Sequence, residues 1–404
     1  MLVTAWGVTA CAGGAPAEAP QAPEPAVQAP LPGANYVMAY ESGDAVYRED
    51  TRTGARQPLG AAEGELRSAD PSPDGTRAAL VLQRGDSTAV LVVDPSSGGV
   101  IPVRNGPAGT TFTLRWSVDG TRLGVGYAGA GEGGVLVLDR DGAVRSMGCQ
   151  AATSFVAWRS ATEAVVEDAV NFYLVRAEDC ATVATVHKAG MTDPEYARAG
   201  NRVSYYQDRW VRLVNGAQPE NIPELWIAAA DGAGARVIAD YQSRPRHSHW
   251  SPDGGKIVYE VVSRRWVNTT HLVTYEPSTN EYEYIAKETQ LGVPNDFSAC
   301  WSPDGRRFAH DRTYARRSGV QSYTTRQVVV REGTTEKVVF DEVIDLPQAQ
   351  VVADPPVRCR WMGPGTLLVS TRRGQRIIGV DDGETYAVPP ERRLLAVEVF
   401  GRRP

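Results

Sequence analysis

From residue 35 onward, short apolar runs alternate with clusters of Gly, Ser, Asp and Pro, and almost no stretch carries the 3.6-residue period of a helix. Phe112-Thr-Leu-Arg-Trp116, Arg122-Leu-Gly-Val-Gly-Tyr127, Ala89-Val-Leu-Val-Val-Asp94 and Gly99-Val-Ile-Pro-Val103 are such runs. Their β-branched residues, bounded by turn formers, predict strands. A recurring corner divides them: Trp-Ser-Pro-Asp-Gly stands intact at Trp250–Gly254 and Trp301–Gly305. Degenerate copies begin at Pro71, Trp116, Trp158, Tyr196 and Trp361, so the seven signals lie 45, 42, 38, 54, 51 and 60 residues apart. Pro fits the second turn position through its fixed φ, and Asp-Gly supplies side-chain capping and a positive φ. Four short strands per 40–60 residues predict an all-β fold, a β-propeller of four-stranded blades. Each blade buries its faces on its neighbours, which lets one domain exceed the usual limit of a single core, about 250–300 residues.

The intact pentapeptides, each followed by an apolar strand, resemble the repeat of the TolB and WD40-like (PD40) propeller family, and the resemblance spans residues 35–404. It implies a propeller and, by analogy with TolB, protein docking in the cell envelope; it speaks to fold more than to function. The ends predict closure. Tyr36-Val-Met-Ala-Tyr40, Ala45-Val-Tyr47 and Arg56-Gln-Pro-Leu59 read as the last three strands of a blade that lacks its first, and Leu394–Phe400 reads as an orphan strand. Pairing them gives eight blades and leaves no open edge; a seven-bladed ring with an extra terminal hairpin is the alternative.

The first 34 residues differ in kind. Met1–Ala10 is short and apolar, and Val8-Thr9-Ala10-Cys11 resembles a bacterial lipobox, which implies a lipidated Cys11 and a signal-peptide remnant over residues 1–11. A simply cleaved or truncated signal is the competing reading. Ala12–Ala34, rich in Ala, Pro and Glu, is expected to be a disordered tether. The propeller then occupies residues 35–404. No later segment approaches the roughly 20 apolar residues of a membrane span. The net charge of −6 argues against general nucleic-acid binding, although residues 241–404 carry a small basic excess. Four cysteines besides Cys11 suit an oxidising compartment. Cys149 and Cys180 are positioned for a disulfide between adjacent blades, while Cys300 and Cys359 fit either a bridge or two buried thiols.

In a propeller the Ser-Pro-Asp-Gly corners lie on one face and the second-to-third-strand and blade-to-blade connections on the other. Extra length gathers on that second face, in Gln207–Pro223, Asp240–His247, Ser263–His271, Lys287–Ser298, Arg312–Arg326 and Asp341–Val357. These are expected to be long loops, and long loops on a rim are where function collects. They hold Arg209, Trp210, Arg212, Arg244, Arg246, Arg264, Arg265, Trp266, Tyr314, Arg316, Arg317 and Tyr323, residue types enriched at binding hot spots.

No nucleophile elbow, phosphate loop, dinucleotide fingerprint or His-Glu-x-x-His helix appears. His247 and His249, two residues apart on an inner strand, are expected on one side of it and are weak candidates for a metal in the central channel. A resembling family of propeller lyases acting on acidic sugars uses such a position. The corner residues Asp74, Asp119, Asp253 and Asp304 stand in separate blades as turn caps. The sequence therefore reads as a monomeric, lipid-anchored envelope protein, periplasmic or outer-membrane, without a cofactor. It is expected to bind an envelope protein or cell-wall component through the long-loop face. The alternative is a lyase or hydrolase acting on an anionic saccharide or a peptide at the channel.

Overall fold

The computed structural model describes residues 36–399 with breaks, the longest at 51–55, 73–76, 212–219, 264–268, 286–294, 345–357 and 388–392. The Cys11 lipobox and the Ala12–Ala34 tether lie outside the described residues.

The described residues form eight four-stranded antiparallel sheets. Seven are simple meanders, each running outward from an inner strand: Glu65–Pro71 opens blade two, Thr111–Trp116 blade three, Ser154–Trp158 blade four, Thr192–Tyr196 blade five, Arg246–Trp250 blade six, Asn295–Trp301 blade seven and Arg358–Gly363 blade eight. The eighth sheet is composite and forms blade one, in the order Arg56–Glu63, Ala45–Asp50, Tyr36–Ser42, Arg393–Val399. Tyr36 pairs with Val399 and Val37 with Glu398. The last strand is thus the inner strand of the first blade, next to Arg358–Gly363 on one side and Glu65–Pro71 on the other. No helix among the described residues is long and apolar enough to cross a membrane.

The corners form as their residues dictate. Ser117, Ser251 and Ser302 each donate Oγ–H to the Asp two residues on, at 2.6, 2.5 and 2.6 Å. Each of those aspartates accepts the backbone N–H two residues further, from Thr121, Gly255 and Arg306. Each serine oxygen also accepts the N–H of a residue at the entry to the next strand, Arg122, Lys256 or Arg307. Gly120, Gly254 and Gly305 close the turns at φ near +68°, a region costly for residues with a Cβ. Asp74 lies outside the described residues.

The corner tryptophans do a second job. Trp116 donates its indole N–H to the Asp70 carbonyl (2.8 Å), Trp158 to Arg115 (2.8 Å), Trp301 to His249 (3.0 Å) and Trp361 to Cys300 (2.9 Å). In every case the acceptor is the residue immediately before the corner position of the preceding blade. One interaction, repeated, ties inner strand to inner strand. Trp250 is the exception: its indole N–H has no partner among the described residues.

Outward from these ties, the blades meet through alternate apolar side chains. Val81, Val90 and Val92 of blade two pack on Leu114, Trp116, Leu123 and Leu136 of blade three. Tyr206, Leu225 and Ile227 of blade five pack on Trp250, Tyr259 and Val273 of blade six. Blades three and four approach closely at Gly124 and Gly126, where a Cβ would lie 2.2 Å from the Phe155 ring and 2.3 Å from its backbone nitrogen respectively.

The junction of blades six and seven is built differently. Its apolar cluster is small, centred on Val258, Leu272, Ile285 and Phe308. Around it charged groups are buried. Asp296 accepts from Arg312 Nε at 2.7 Å and lies 3.3 Å from His310 Nδ1. Arg312 reaches Glu336 at 2.7 Å, Arg331 reaches the same carboxylate at 2.9 Å, and Arg331 also contacts Glu283 of blade six. Burial alone pushes the Asp296 carboxyl up, but His310 and Arg312 outweigh it and hold it below the usual carboxylate range; Glu336 is held low in the same way by Arg312.

Two predictions follow from this packing. Replacing Trp158 by Phe keeps an aromatic ring but leaves the Arg115 carbonyl without its indole donor, and is expected to cost about 1–3 kcal/mol in urea unfolding. Because Asp296 and Glu336 titrate lower when folded than when unfolded, their contribution is fully present above the unfolded carboxylate pKa, about 4, and fades as pH falls through the folded values. Asp296→Asn is therefore expected to destabilise at pH 7 by about 1–3 kcal/mol, since it removes the carboxylate charge beside buried Arg312 and leaves Glu336 as its one charged partner among the described residues, and to flatten the loss of stability on acidification. Urea midpoints measured from pH 3 to pH 7 check both features.

Candidate functional site

The long-loop reading of the rim needs correction. In blade five, strands Arg202–Val211 and Glu220–Ala229 pair without a break from Arg202↔Ala229 to Val211↔Glu220. In blade seven, Arg307–Ser318 and Gln321–Glu332 pair from Arg307↔Glu332 to Ser318↔Gln321. Arg209, Trp210, Tyr314, Arg316, Arg317 and Tyr323 are therefore strand residues on lengthened hairpins, and Arg246 opens an inner strand. The physical reason is legible afterwards: Tyr205-Tyr206 and Tyr323-Thr324-Thr325 continue the strand-forming pattern, and pairing satisfies backbone groups that a loop would leave to water.

The rim residues divide. Trp210 stands 73% exposed beside Arg209, whose guanidinium reaches Glu224 Oε1 at 2.9 Å. Glu220, opposite Val211 on the same hairpin, holds Arg244 at 2.8 Å. Arg209, Trp210 and Arg244 thus gather at the outer end of blade five. Arg246 is drawn elsewhere, to Glu260 (3.3 Å) and the Thr270 hydroxyl (2.9 Å). Tyr314 is buried, 3% exposed, and belongs to the packing. Arg316 stands opposite Tyr323 in the ladder. Arg212, Arg264, Arg265 and Trp266 lie outside the described residues.

Strict alternation does not govern the two histidines, although both lie within reach of the Glu260 charge. The pairing of Arg246–Trp250 with the next strand is irregular between Arg246 and His249, and His247 sits at φ +48°. A bulge re-aims side chains, so spacing by two loses its meaning here. His247 turns to Glu260 at 3.0 Å, a hydrogen bond that raises its pKa. His249 turns to Glu195 of the preceding blade at 3.4 Å. Burial works against protonation of His249, yet the Glu195 carboxylate outweighs it and the net direction is upward. Glu260 is a hub that sequence reading missed. Almost wholly buried, it also accepts the Ser298 backbone N–H of blade seven at 3.1 Å. Among the described residues no three His, Cys, Asp or Glu side chains are arranged to hold a metal ion.

The four described cysteines lie in two pairs. Cys149 and Cys180 are joined with Cα atoms 5.3 Å apart, between blades three and four, and Cys300 and Cys359 are joined at 6.1 Å across the inner strands of blades seven and eight. Both links cross a blade boundary.

No protein-family model matches this sequence, and no curated protein matches it. Among solved structures, a eukaryotic initiation factor is similar at 11% identity and a TM-score of 0.51, with 91% of this chain and 99% of that one covered. Oligogalacturonate lyase from Vibrio parahaemolyticus is similar at 12% identity and 0.47, covering 86% of this chain and 98% of the other. TolB from Acinetobacter baumannii is similar at 10% and 0.38, covering 90% and 81%. With four-stranded sheets set round a ring, the class is a β-propeller. Identities this low speak to the fold alone.

Thiol titration of unfolded, unreduced protein is expected to find Cys149, Cys180, Cys300 and Cys359 unreactive, with four thiols appearing on reduction. Four thiols before reduction would exclude both bridges.

Proposed function

We propose that the protein is a non-enzymatic binding propeller of the bacterial cell envelope, lipid-anchored through Cys11, that docks a protein or cell-wall partner on the rim at blades five and six. One observation carries this reading: Trp210, a large amphipathic side chain, is held in solvent on a hydrogen-bonded strand instead of being packed away. A rigid aromatic offers much contact area with little side-chain entropy to lose. Arg209 and Arg244 flank it, each already positioned by a carboxylate of the same hairpin. Such pairs fix direction and register and contribute little energy while exposed. The lipobox-like Val8-Thr9-Ala10-Cys11 and the Pro-rich Ala12–Ala34 support a periplasmic or outer-membrane ring on a tether, acting as a monomer.

Capture from detergent-solubilised envelopes with the tagged ring is expected to recover one specific partner, and Trp210→Ala to weaken its binding by about tenfold or more. Equal recovery by the wild type and the folded variant would remove this rim as the docking surface.

A further inference from the structure

We infer that the indole of Trp210 is a stacking platform for an uncharged glycan, with Asp208 and Asn221 taking the hydroxyls at the edge of the sugar ring. The assignment rests on the docking rim proposed above and gives its partner a chemical class.

The hairpin builds the platform. Its two strands pair in unbroken register, with Trp210 directly opposite Asn221 and Asp208 opposite Pro223. Cross-strand partners share a face, and so do residues two apart on one strand, so Trp210, Asn221 and Asp208 stand together. Asn221 and Asp208 are exposed, as the indole is. Arg209 alternates to the opposite face, where it reaches the Glu224 carboxylate diagonally across the ladder. The indole is thus presented from a paired backbone, which fixes a contact group more closely than a loop does.

The size of the apolar patch selects the ligand. Trp210 alone among the described tryptophans is exposed, and the other exposed large apolar side chain described in blade five is Val237. Val237 pairs with Trp226, five rungs from Asn221 and so about 17 Å along the hairpin. The exposed Tyr282 and Tyr284 of blade six stand on its outermost strand. A protein interface gathers several apolar side chains into a core that excludes water. One indole among polar groups offers instead the area of a single ring. A pyranose has that form: its axial C–H bonds make an apolar, slightly positive face that meets the negative face of an aromatic ring, while its hydroxyls project around the edge.

Charge narrows the class further. Arg209 is matched by Glu224 at 2.9 Å, Arg244 by Glu220 at 2.8 Å and Arg246 by Glu260 at 3.3 Å. On the indole's own face of the hairpin the charged group is the Asp208 carboxylate. An acidic sugar would be repelled there. An uncharged one can donate hydroxyls to Asp208 and both donate to and accept from the Asn221 amide. The cell-wall form of the docking reading is thereby favoured over the protein form.

Isothermal titration of the full chain with tetra-N-acetylchitotetraose and with cellotetraose tests the platform, with tetragalacturonate as the acidic counterpart. At least one uncharged tetrasaccharide is expected to bind saturably and more tightly than tetragalacturonate. Trp210→Ala should weaken that binding by about tenfold or more, Trp210→Phe by less because a smaller ring keeps part of the stack, and Asn221→Ala by several-fold. All three variants alter exposed side chains and are expected to fold, which circular dichroism checks. Failure of both uncharged glycans to bind overturns the assignment, as does tighter binding of tetragalacturonate or unchanged affinity in folded Trp210→Ala. Envelope capture with the same variants separates this outcome from that of the docking rim. Capture lost in Trp210→Ala without any glycan binding would keep the rim as a protein-docking surface and overturn the glycan assignment alone. Glycan binding that depends on Trp210 while capture is unchanged would uphold the platform and remove the captured partner from this rim.

Discussion

The indole N–H of a corner tryptophan donating to a backbone carbonyl one blade earlier is the contact on which the rest of this architecture depends. Inner strands converge on the axis, where there is least room and least side-chain volume to hold them in step. An indole spans the gap between neighbouring strands, fills it, and ends in a donor that accepts only one placement of the ring. Each bond is worth little alone, about 1 kcal/mol net. Repetition gives it authority, since four such bonds set the height of one blade against the next, and the aliphatic layers outside then meet in register.

Much of this was legible in the sequence, because turns and alternation are local. Ser117-Val-Asp-Gly120 and its relatives specify a corner whatever surrounds them, and the orphan strand at Leu394 found its partner by counting. Register and bulges were not legible. Arg316 and Trp210 read as loop residues because nothing near them shows that a hairpin will keep pairing. His247 and His249 read as companions because alternation cannot announce the irregularity between them. Glu260 and the Asp296 network escaped altogether, since their partners come from other strands and other blades. The one usable clue to the inner-strand ties was positional: the acceptor is whatever stands before each corner.

Blades six and seven show how far the repeat tolerates departure. Elsewhere neighbouring blades meet through aliphatic and aromatic side chains; here Arg312, Arg331 and Asp296 are enclosed with His310 beside them, and the partly buried Glu336 pairs both arginines. Desolvating such groups offsets much of what their attraction returns, so the arrangement adds geometric definition more than stability. Polar contacts also cross the boundary, from Arg331 to Glu283 and from the Ser298 N–H to Glu260.

The composite first blade has a consequence for the order of events. Tyr36–Ser42 and Arg393–Val399 are hydrogen-bonded neighbours separated by almost the whole chain, and closing a loop of that length costs about 5 kcal/mol in chain entropy. The seven meanders can each assemble as soon as they are synthesised, from contacts a few dozen residues apart. The ring itself must wait for its last strand. Until then an arc of blades presents two raw edges to its surroundings, and the clasp that removes them joins the strands that lie farthest apart in the sequence.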